Sequence, residues 1–244
     1  MEVAQGVHLV PGMSGNVCLV TDPEVVLFDA GLPGDGPAIL AHLGRVGLAA
    51  RALTAIALTH ADAGHAGSAP WLRRNSPARI LASAEAAAAA AGRRAVSFLH
   101  SAERVALSLT GRRLEDFAVD GVLAPGDELA GFTVVATPGH TAGHLSFFRP
   151  QDGLLLAGDA VRISGRDILA PAFWDTQSEI AARISVARLA DLPVHLLIAG
   201  HGPPYREPGA ELRRCGGPSG FLEEQLRRRE AHRREGRRRR RAPK

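Results

Sequence analysis

Four apolar runs in this chain end in the same way, with a small or turn-forming residue followed by a side chain that can bind a cation. They are Ala55-Ile56-Ala57-Leu58-Thr59-His60, Val134-Val135-Ala136-Thr137-Pro138-Gly139-His140, Leu154-Leu155-Leu156-Ala157-Gly158-Asp159 and Leu196-Leu197-Ile198-Ala199-Gly200-His201. Glycine or threonine at such a corner lets the chain leave a buried strand sharply and aim the next side chain at a shared point. His, His, Asp and His brought by four strands to one edge make the donor set of a transition-metal site. The first junction adds Asp62 and His65 within one short loop, where Gly64 and Gly67 allow the bend. Six donors exceed what one tetrahedral ion needs. They describe either two adjacent ions bridged by a carboxylate, for which Asp159 is the natural choice, or one ion with spare groups around its ligands.

The elements that must position these donors follow from the hydrophobic pattern. Val7 to Val10, Val17 to Val20 and Val25 to Phe28 read as a meander of short strands separated by the turns Pro11 to Gly15 and Asp22-Pro23. Gly36 to Val46 reads as a helix, Ala52 to Leu58 as a strand, and Ser83 to about Leu114 as two helices broken near Gly92. Phe132 to Ala136, His144 to Phe148, Leu154 to Ala157 and Leu196 to Ala199 are further strands, with a helix from Ser178 to about Leu189 before the last. Strands and helices in two similar halves imply an α+β, αββα sandwich: two facing sheets with helices on the outer faces. One domain is expected over residues 1–206, with a helical insert at about 83–119, followed by an Arg-rich, partly disordered extension over 207–244.

The chain resembles the metallo-β-lactamase superfamily. The resemblance covers about residues 5–206 and rests on Val26-Leu27-Phe28-Asp29-Ala30-Gly31, Thr59 to Gly67, Thr137 to His144, Gly158-Asp159 and Gly200-His201-Gly202-Pro203-Pro204. The family loop is His-x-His-x-Asp-His, and this chain departs from it twice: Asp62 stands at the second histidine and Gly64 at the aspartate. The first change keeps a donor and the second removes one. The resemblance implies one ion held by His60, Asp62 and His140, a second by His65 and His201, and Asp159 between them. The implied cofactor is one or two Zn²⁺, with Fe²⁺ or Mn²⁺ as the alternative. Asp62 and Asp159 are expected to serve the reaction as well as the metal, Asp62 taking part of the water-orienting role of the missing aspartate. In the resembled family Asp29 buttresses the ligand loop through hydrogen bonds.

The expected reaction is hydrolysis of a small ester, thioester or lactone, since a bound zinc ion lowers the pKa of its water from about 15.7 toward 7 and polarises the carbonyl. No side-chain nucleophile is then required: Gly-x-Ser-x-Gly is absent, and Cys18 and Cys215 lie away from the motifs. Two other readings stay open. His60, His140 and Asp159 also describe the two-histidine, one-carboxylate site of a mononuclear non-haem iron enzyme such as a persulfide dioxygenase, and the altered loop could mark a metal-binding protein without catalysis. His144, four residues after His140, is read as supporting the site rather than binding metal, because Pro138 and Gly139 argue against a helix there. Tyr205, Trp71 and Trp174 are read as packing residues, and His8, His42, His100, His195 and His232 as structural.

Composition narrows the partners. At 244 residues and 45% hydrophobic, the chain can bury a sizeable core, and its longest apolar runs are far too short for a transmembrane helix. Residues 227–244 hold ten Arg and one Lys against two Glu, more charge than the whole chain's net +4, so the body itself is acidic. No aromatic residues are interleaved with those arginines, and no specific nucleic-acid partner is expected. A small-molecule substrate, no membrane and a cytoplasmic, reducing location are the expectations, the last from two distant cysteines and the lack of a signal pattern at the N-terminus. Arg93, Arg94, Arg112 and Arg113 of the insert could face an anionic substrate, although solvent is the plainer reading.

Overall fold

The structure is a computed structural model that describes residues 1–93, 114–172 and 175–217. Strands β1 (Glu2–Ala4), β2 (Val7–Leu9), β3 (Cys18–Val20), β4 (Val26–Phe28), β5 (Ala55–Ala57), β6 (Arg79–Ala82) and β7 (Gly121–Val122) lie side by side in that order in one sheet. The pairings are antiparallel up to β4 and parallel from β4 to β7. A second sheet takes β8 (Glu128–Leu129), β9 (Phe132–Ala136), β10 (Leu145–Arg149), β11 (Leu154–Gly158), β14 (Leu196–Ala199) and β15 (Tyr205–Arg206) in the order β15-β14-β11-β10-β9-β8. Between β11 and β14 the chain makes a small hairpin, β12 (Arg162–Ser164) with β13 (Asp167–Leu169).

Alternation along each strand explains why the runs look uniformly apolar in sequence. Val26 and Phe28 face the second sheet while Leu27 faces outward, and Leu154 and Leu156 face the first sheet while Leu155 faces outward. Both faces are covered, so both sets of side chains are apolar. The layer between the sheets is centred on Phe28, whose ring lies 5.0 Å from that of Phe132 and 4.8 Å from that of Phe147. Helices α1 (Gly36–Arg45), α2 (Ala63–Ala66), α3 (Ala69–Asn75) and α4 (Ala84–Ala90) belong to the half of the first sheet, where Ile39, Leu43 and Leu72 pack on Leu27 and Ile56. Helices α5 (Glu179–Ala190) and α6 (Gly209–Gly216) cover the second. The αββα sandwich expected from the sequence is the observed architecture.

Local chemistry sets several boundaries. Ser83 and Ser178 cap α4 and α5 by accepting hydrogen bonds from the backbone N–H of Ala86 and Ala181, and Pro37 suits the first turn of α1. The strand expected over Ala52 to Leu58 is shorter, because Ala50–Ala52 forms a 3₁₀ turn. Strand β6 was not anticipated: its four residues carry too little periodicity to stand out. The packed body also runs past residue 206, since Leu212 and Cys215 of α6 are buried against α5 and the second sheet. The helix expected from Ser83 is present as far as Ala90, while its continuation through residues 94–113, Trp174 and the Arg-rich tail lie outside the described residues.

Candidate metal centre

The four junctions open at one end of the facing sheets. His60 follows β5, His140 follows β9, Asp159 follows β11 and His201 follows β14. Asp62 and His65 come from the loop after β5, whose second half winds into α2 instead of remaining an open loop. Two glycines make the convergence close. Gly158 has φ +53°, and a Cβ there would sit 2.7 Å from His144 Nε2; a Cβ on Gly200 would sit 1.9 Å from Asp159 Oδ1.

One oxygen is the hub. Asp159 Oδ2 lies 3.9 Å from His60 Nε2, 3.5 Å from His65 Nε2, 3.7 Å from His140 Nε2 and 3.7 Å from His201 Nε2. Asp62 Oδ2 lies 3.2 Å from His140 Nε2 and 3.6 Å from His60 Nε2. Such separations suit donor atoms that share an ion about 2.0–2.2 Å from each. Two groups of three donors meet this closeness through the shared carboxylate, His60–His140–Asp159 and His65–Asp159–His201. The Nε2 atoms of His60, His65 and His140 are buried with no hydrogen-bond partner in the protein. Burying three such atoms costs free energy unless something satisfies them, and a divalent cation fits the donor chemistry.

Each of the four candidate ligand imidazoles is held through its other nitrogen. The Thr59 hydroxyl donates to the Asp29 carboxylate, so its 2.8 Å contact with His60 Nδ1 is a bond donated by the ring. His65 Nδ1–H donates to Asp29 Oδ2 at 2.8 Å, His201 Nδ1–H to the Ser14 carbonyl at 3.0 Å, and His140 Nδ1–H to the Asp175 carbonyl. These partners fix the tautomers that turn four Nε2 lone pairs inward. Asp29 itself has φ +62° and also accepts from the Thr59 backbone N–H, so a residue at the end of β4 braces the ligands that follow β5.

His144 does not face the hub. Its Nε2 accepts from the Asp159 backbone N–H at 3.0 Å, so its Nδ1–H donates to Thr137 Oγ1 at 2.8 Å. The Ser146 hydroxyl donates to the Ala157 carbonyl, so the Thr137 hydroxyl donates to Ser146 Oγ at 2.9 Å. This chain of bonds uses the neutral ring, and burial, with the neighbouring His140 charge, pushes His144 down to about 3. Because the folded value lies below the unfolded value near 6.5, the unfolded chain takes up the proton first as pH falls. The metal-free protein is therefore expected to lose stability from about pH 6.5 down to about 3, at up to about 1.4 kcal/mol per pH unit from this group. His144→Ala should cost about 2–4 kcal/mol at neutral pH and remove that part of the slope. Denaturant titrations of both proteins between pH 4 and 7 measure the difference, and parallel slopes would refute the assignment.

The hub carries opposing charges before any cation arrives. Burial, together with the His65 charge, holds His60 well below the usual imidazole range. For His65 burial acts the same way but is outweighed by the Asp159 and Asp29 carboxylates, which raise it well above. A proton on His65 therefore sits where a cation would bind, and cation uptake displaces it. Burial raises Asp175 above the usual carboxylate range, and the Asp62 and Asp159 charges act in the same direction.

All six candidate donors, His60, Asp62, His65, His140, Asp159 and His201, come together, while Gly64 contributes no side chain and faces open space within 4 Å. Tyr205, in edge strand β15 of the second sheet, donates its hydroxyl to the Arg166 carbonyl at 3.0 Å, and Trp71 packs on the core beside α1. Sequence reasoning missed Asn16 and Asp175. Asn16 Nδ2 donates to the carbonyls of Ala199 at 2.8 Å and Gly202 at 2.7 Å, pinning the His201 loop. Asp175 follows no strand and shares no motif, so nothing in its neighbourhood marked it.

The fold and the cluster of candidate donors agree with the likeness to known proteins: residues 10–201 match the family model described as the metallo-beta-lactamase superfamily, and the chain belongs to that family. The metallo-beta-lactamase domain-containing protein 1 of Xenopus laevis is 31% identical over 198 residues, spanning 79% of this chain and 72% of that protein. A hydroxyacylglutathione hydrolase of Chromohalobacter salexigens is 31% identical over 184 residues, 73% of this chain and 57% of the enzyme. The crystal structure of a metallo-beta-lactamase family protein from Thermus thermophilus superposes with a TM-score of 0.70 at 25% identity, over 93% of this chain and 82% of that one. Among the described residues, no helix is long and apolar enough to cross a membrane.

Proposed function

We propose that the protein is a metal-dependent hydrolase of small esters, thioesters or lactones, with His60, Asp62 and His140 holding one divalent ion, His65 and His201 a second, and Asp159 shared between them. The observation that supports it is the single Asp159 oxygen within 3.5–3.9 Å of four inward Nε2 atoms. A divalent ion there supplies Lewis acidity, which acidifies water at neutral pH and polarises a carbonyl. The protein's own groups do the rest. The Nδ1–H bonds of the four histidines keep the donors fixed, and Asp29 holds Thr59 and His65 in register. Asp62, whose side chain is 19% exposed, would accept a proton from the attacking water and return it to the leaving alcohol or thiol. The likeness to a hydroxyacylglutathione hydrolase agrees with thioester substrates. A mononuclear iron site would need only His60, His140 and Asp159; the second group built on the same carboxylate favours hydrolysis.

The test is metal content by plasma mass spectrometry on untagged protein, followed by turnover on ester, thioester and lactone panels. His60→Ala should lower metal content and turnover together, the latter by about 10²–10⁴-fold. Full turnover with unchanged metal would overturn the assignment, as would oxygen consumption on a persulfide without any hydrolysis.

A further inference from the structure

The two halves of the centre differ, and two of the differences, Asp62 and Gly64, are this chain's departures from the family loop. Around His60 and His140 stand two carboxylates, Asp62 with Oδ2 at 3.2 and 3.6 Å from the Nε2 atoms and Asp159 at 3.7 and 3.9 Å. A third stands beside them: Asp62, His140 and Asp175 each place one ligand-type atom within 4.8 Å of the other two. The Asp175 carboxylate is 3.9 Å from His140 Nδ1, and its own carbonyl anchors that ring. Two buried Nε2 atoms without partners, on His60 and His140, point into this half, and one, on His65, points into the other. Among the described residues, the other half has only Asp159 for a carboxylate on the Nε2 side, since Asp29 lies behind His65, 2.8 Å from its Nδ1. His201 there has a side chain 52% exposed, against 1% for His60 and 3% for His140, so it has more freedom to lose on binding. Gly64 adds no donor to that half, although a side chain at this position meets nothing within 4 Å.

Donor type decides which cation a site favours. Imidazole-rich sites suit zinc, whereas added carboxylates suit harder ions that take six ligands, such as manganese(II), and intermediate sets of two imidazoles with carboxylate suit iron(II). We infer that the centre is asymmetric: the His60–Asp62–His140 half, with Asp175 beside it, fills first and is shifted from zinc toward manganese(II) or iron(II), while the His65–His201 half is weak for want of a carboxylate at position 64. Zinc still outranks manganese in absolute affinity, as it does at nearly all such sites. The shift is a change in the ratio of the two affinities, set by Asp62 and Asp175. The inference rests on the reading that these donors hold metal, and it is read out by binding alone.

Metal-free protein is titrated with Zn²⁺ and with Mn²⁺ by calorimetry, and ions per chain are counted after gel filtration, with circular dichroism confirming the fold of each variant. The native chain should retain one ion tightly and bind the second at least about tenfold more weakly. Asp62→His should raise the zinc-to-manganese affinity ratio of the tight site at least about tenfold, and Asp175→Asn should raise it by a smaller factor, about threefold. Gly64→Asp should tighten the second ion about tenfold or more and leave the ratio at the first site unchanged. If Asp62→His does not fold, Asp62→Asn serves instead, with manganese affinity expected to fall more than zinc affinity. Two equally tight ions in the native chain, or a ratio that ignores Asp62, would overturn the asymmetry while leaving the hydrolase reading intact. No metal uptake at all would overturn both.

Discussion

Asp159→Asn is expected to have the largest effect of any single substitution, with bound metal falling below one ion per chain and turnover dropping by about 10³-fold or more. The reason is geometric and electrostatic together. Among the described residues, Asp159 Oδ2 is the only carboxylate oxygen with contacts to all four histidines, at 3.5–3.9 Å, so it belongs to both halves. Burial alone would raise this carboxyl, but the His65, His60 and His140 rings outweigh it and hold it well below the usual carboxylate range. It is therefore charged at any working pH, and its charge is what offsets a cation in a buried site. Asparagine keeps the shape and removes the charge. Losing several kcal/mol of charge stabilisation corresponds to about three powers of ten in rate. Metal content, turnover and thermal midpoint measured on one preparation check it: metal retained with turnover near the native level would remove Asp159 from its central role.

The second large effect concerns a residue that touches no metal. Asp29→Ala should destabilise the protein by about 3–5 kcal/mol and weaken metal binding about 10–100-fold. The carboxylate accepts from the Thr59 backbone N–H at 2.8 Å, the Thr59 hydroxyl at 2.9 and 3.0 Å, and His65 Nδ1 at 2.8 Å, all of them buried. Alanine leaves these donors without an acceptor and frees the His65 ring to rotate. It also places a side chain without polar atoms at φ +62°, a conformation that aspartate and asparagine tolerate better. Asp29→Asn is the control, since it keeps the backbone tolerance and one acceptor, and it should lose roughly half as much. Denaturant unfolding and zinc titration of both variants decide the matter; equal losses would assign the effect to charge alone.

Much of the site was legible because its signals are local. A strand that ends on glycine or threonine and then on a donor is visible within six or seven residues, and four repetitions reinforce one another. The departures at Asp62 and Gly64 were equally visible, and the structure gives them physical content: Asp62 faces His140 at 3.2 Å, and Gly64 opens onto space that a carboxylate would fill. The fold was legible for a related reason. Strands covered on both faces must be apolar throughout, which made β10, β11 and β14 easy to read. Short β6, the hairpin of β12 and β13, and helix α6 were not, because each is too brief or too polar to carry a period of its own and is fixed by what it packs against.

The sequence by itself determined which donors exist, the order in which strands deliver them and the loss of a carboxylate at position 64, since these depend on side-chain identity and short-range spacing. The brace at Asp29 was implied by the resemblance, but only the tertiary structure decided which atoms hold each imidazole. Asp29 reaches Thr59 across 30 residues and His65 across 36, the Ser14 carbonyl reaches His201 across 187, and the Asp175 carbonyl reaches His140 across 35. Two of these acceptors are backbone oxygens, which every residue carries, so no letter in the sequence could announce them. Their role comes from position alone, and position is settled by the packing of two sheets.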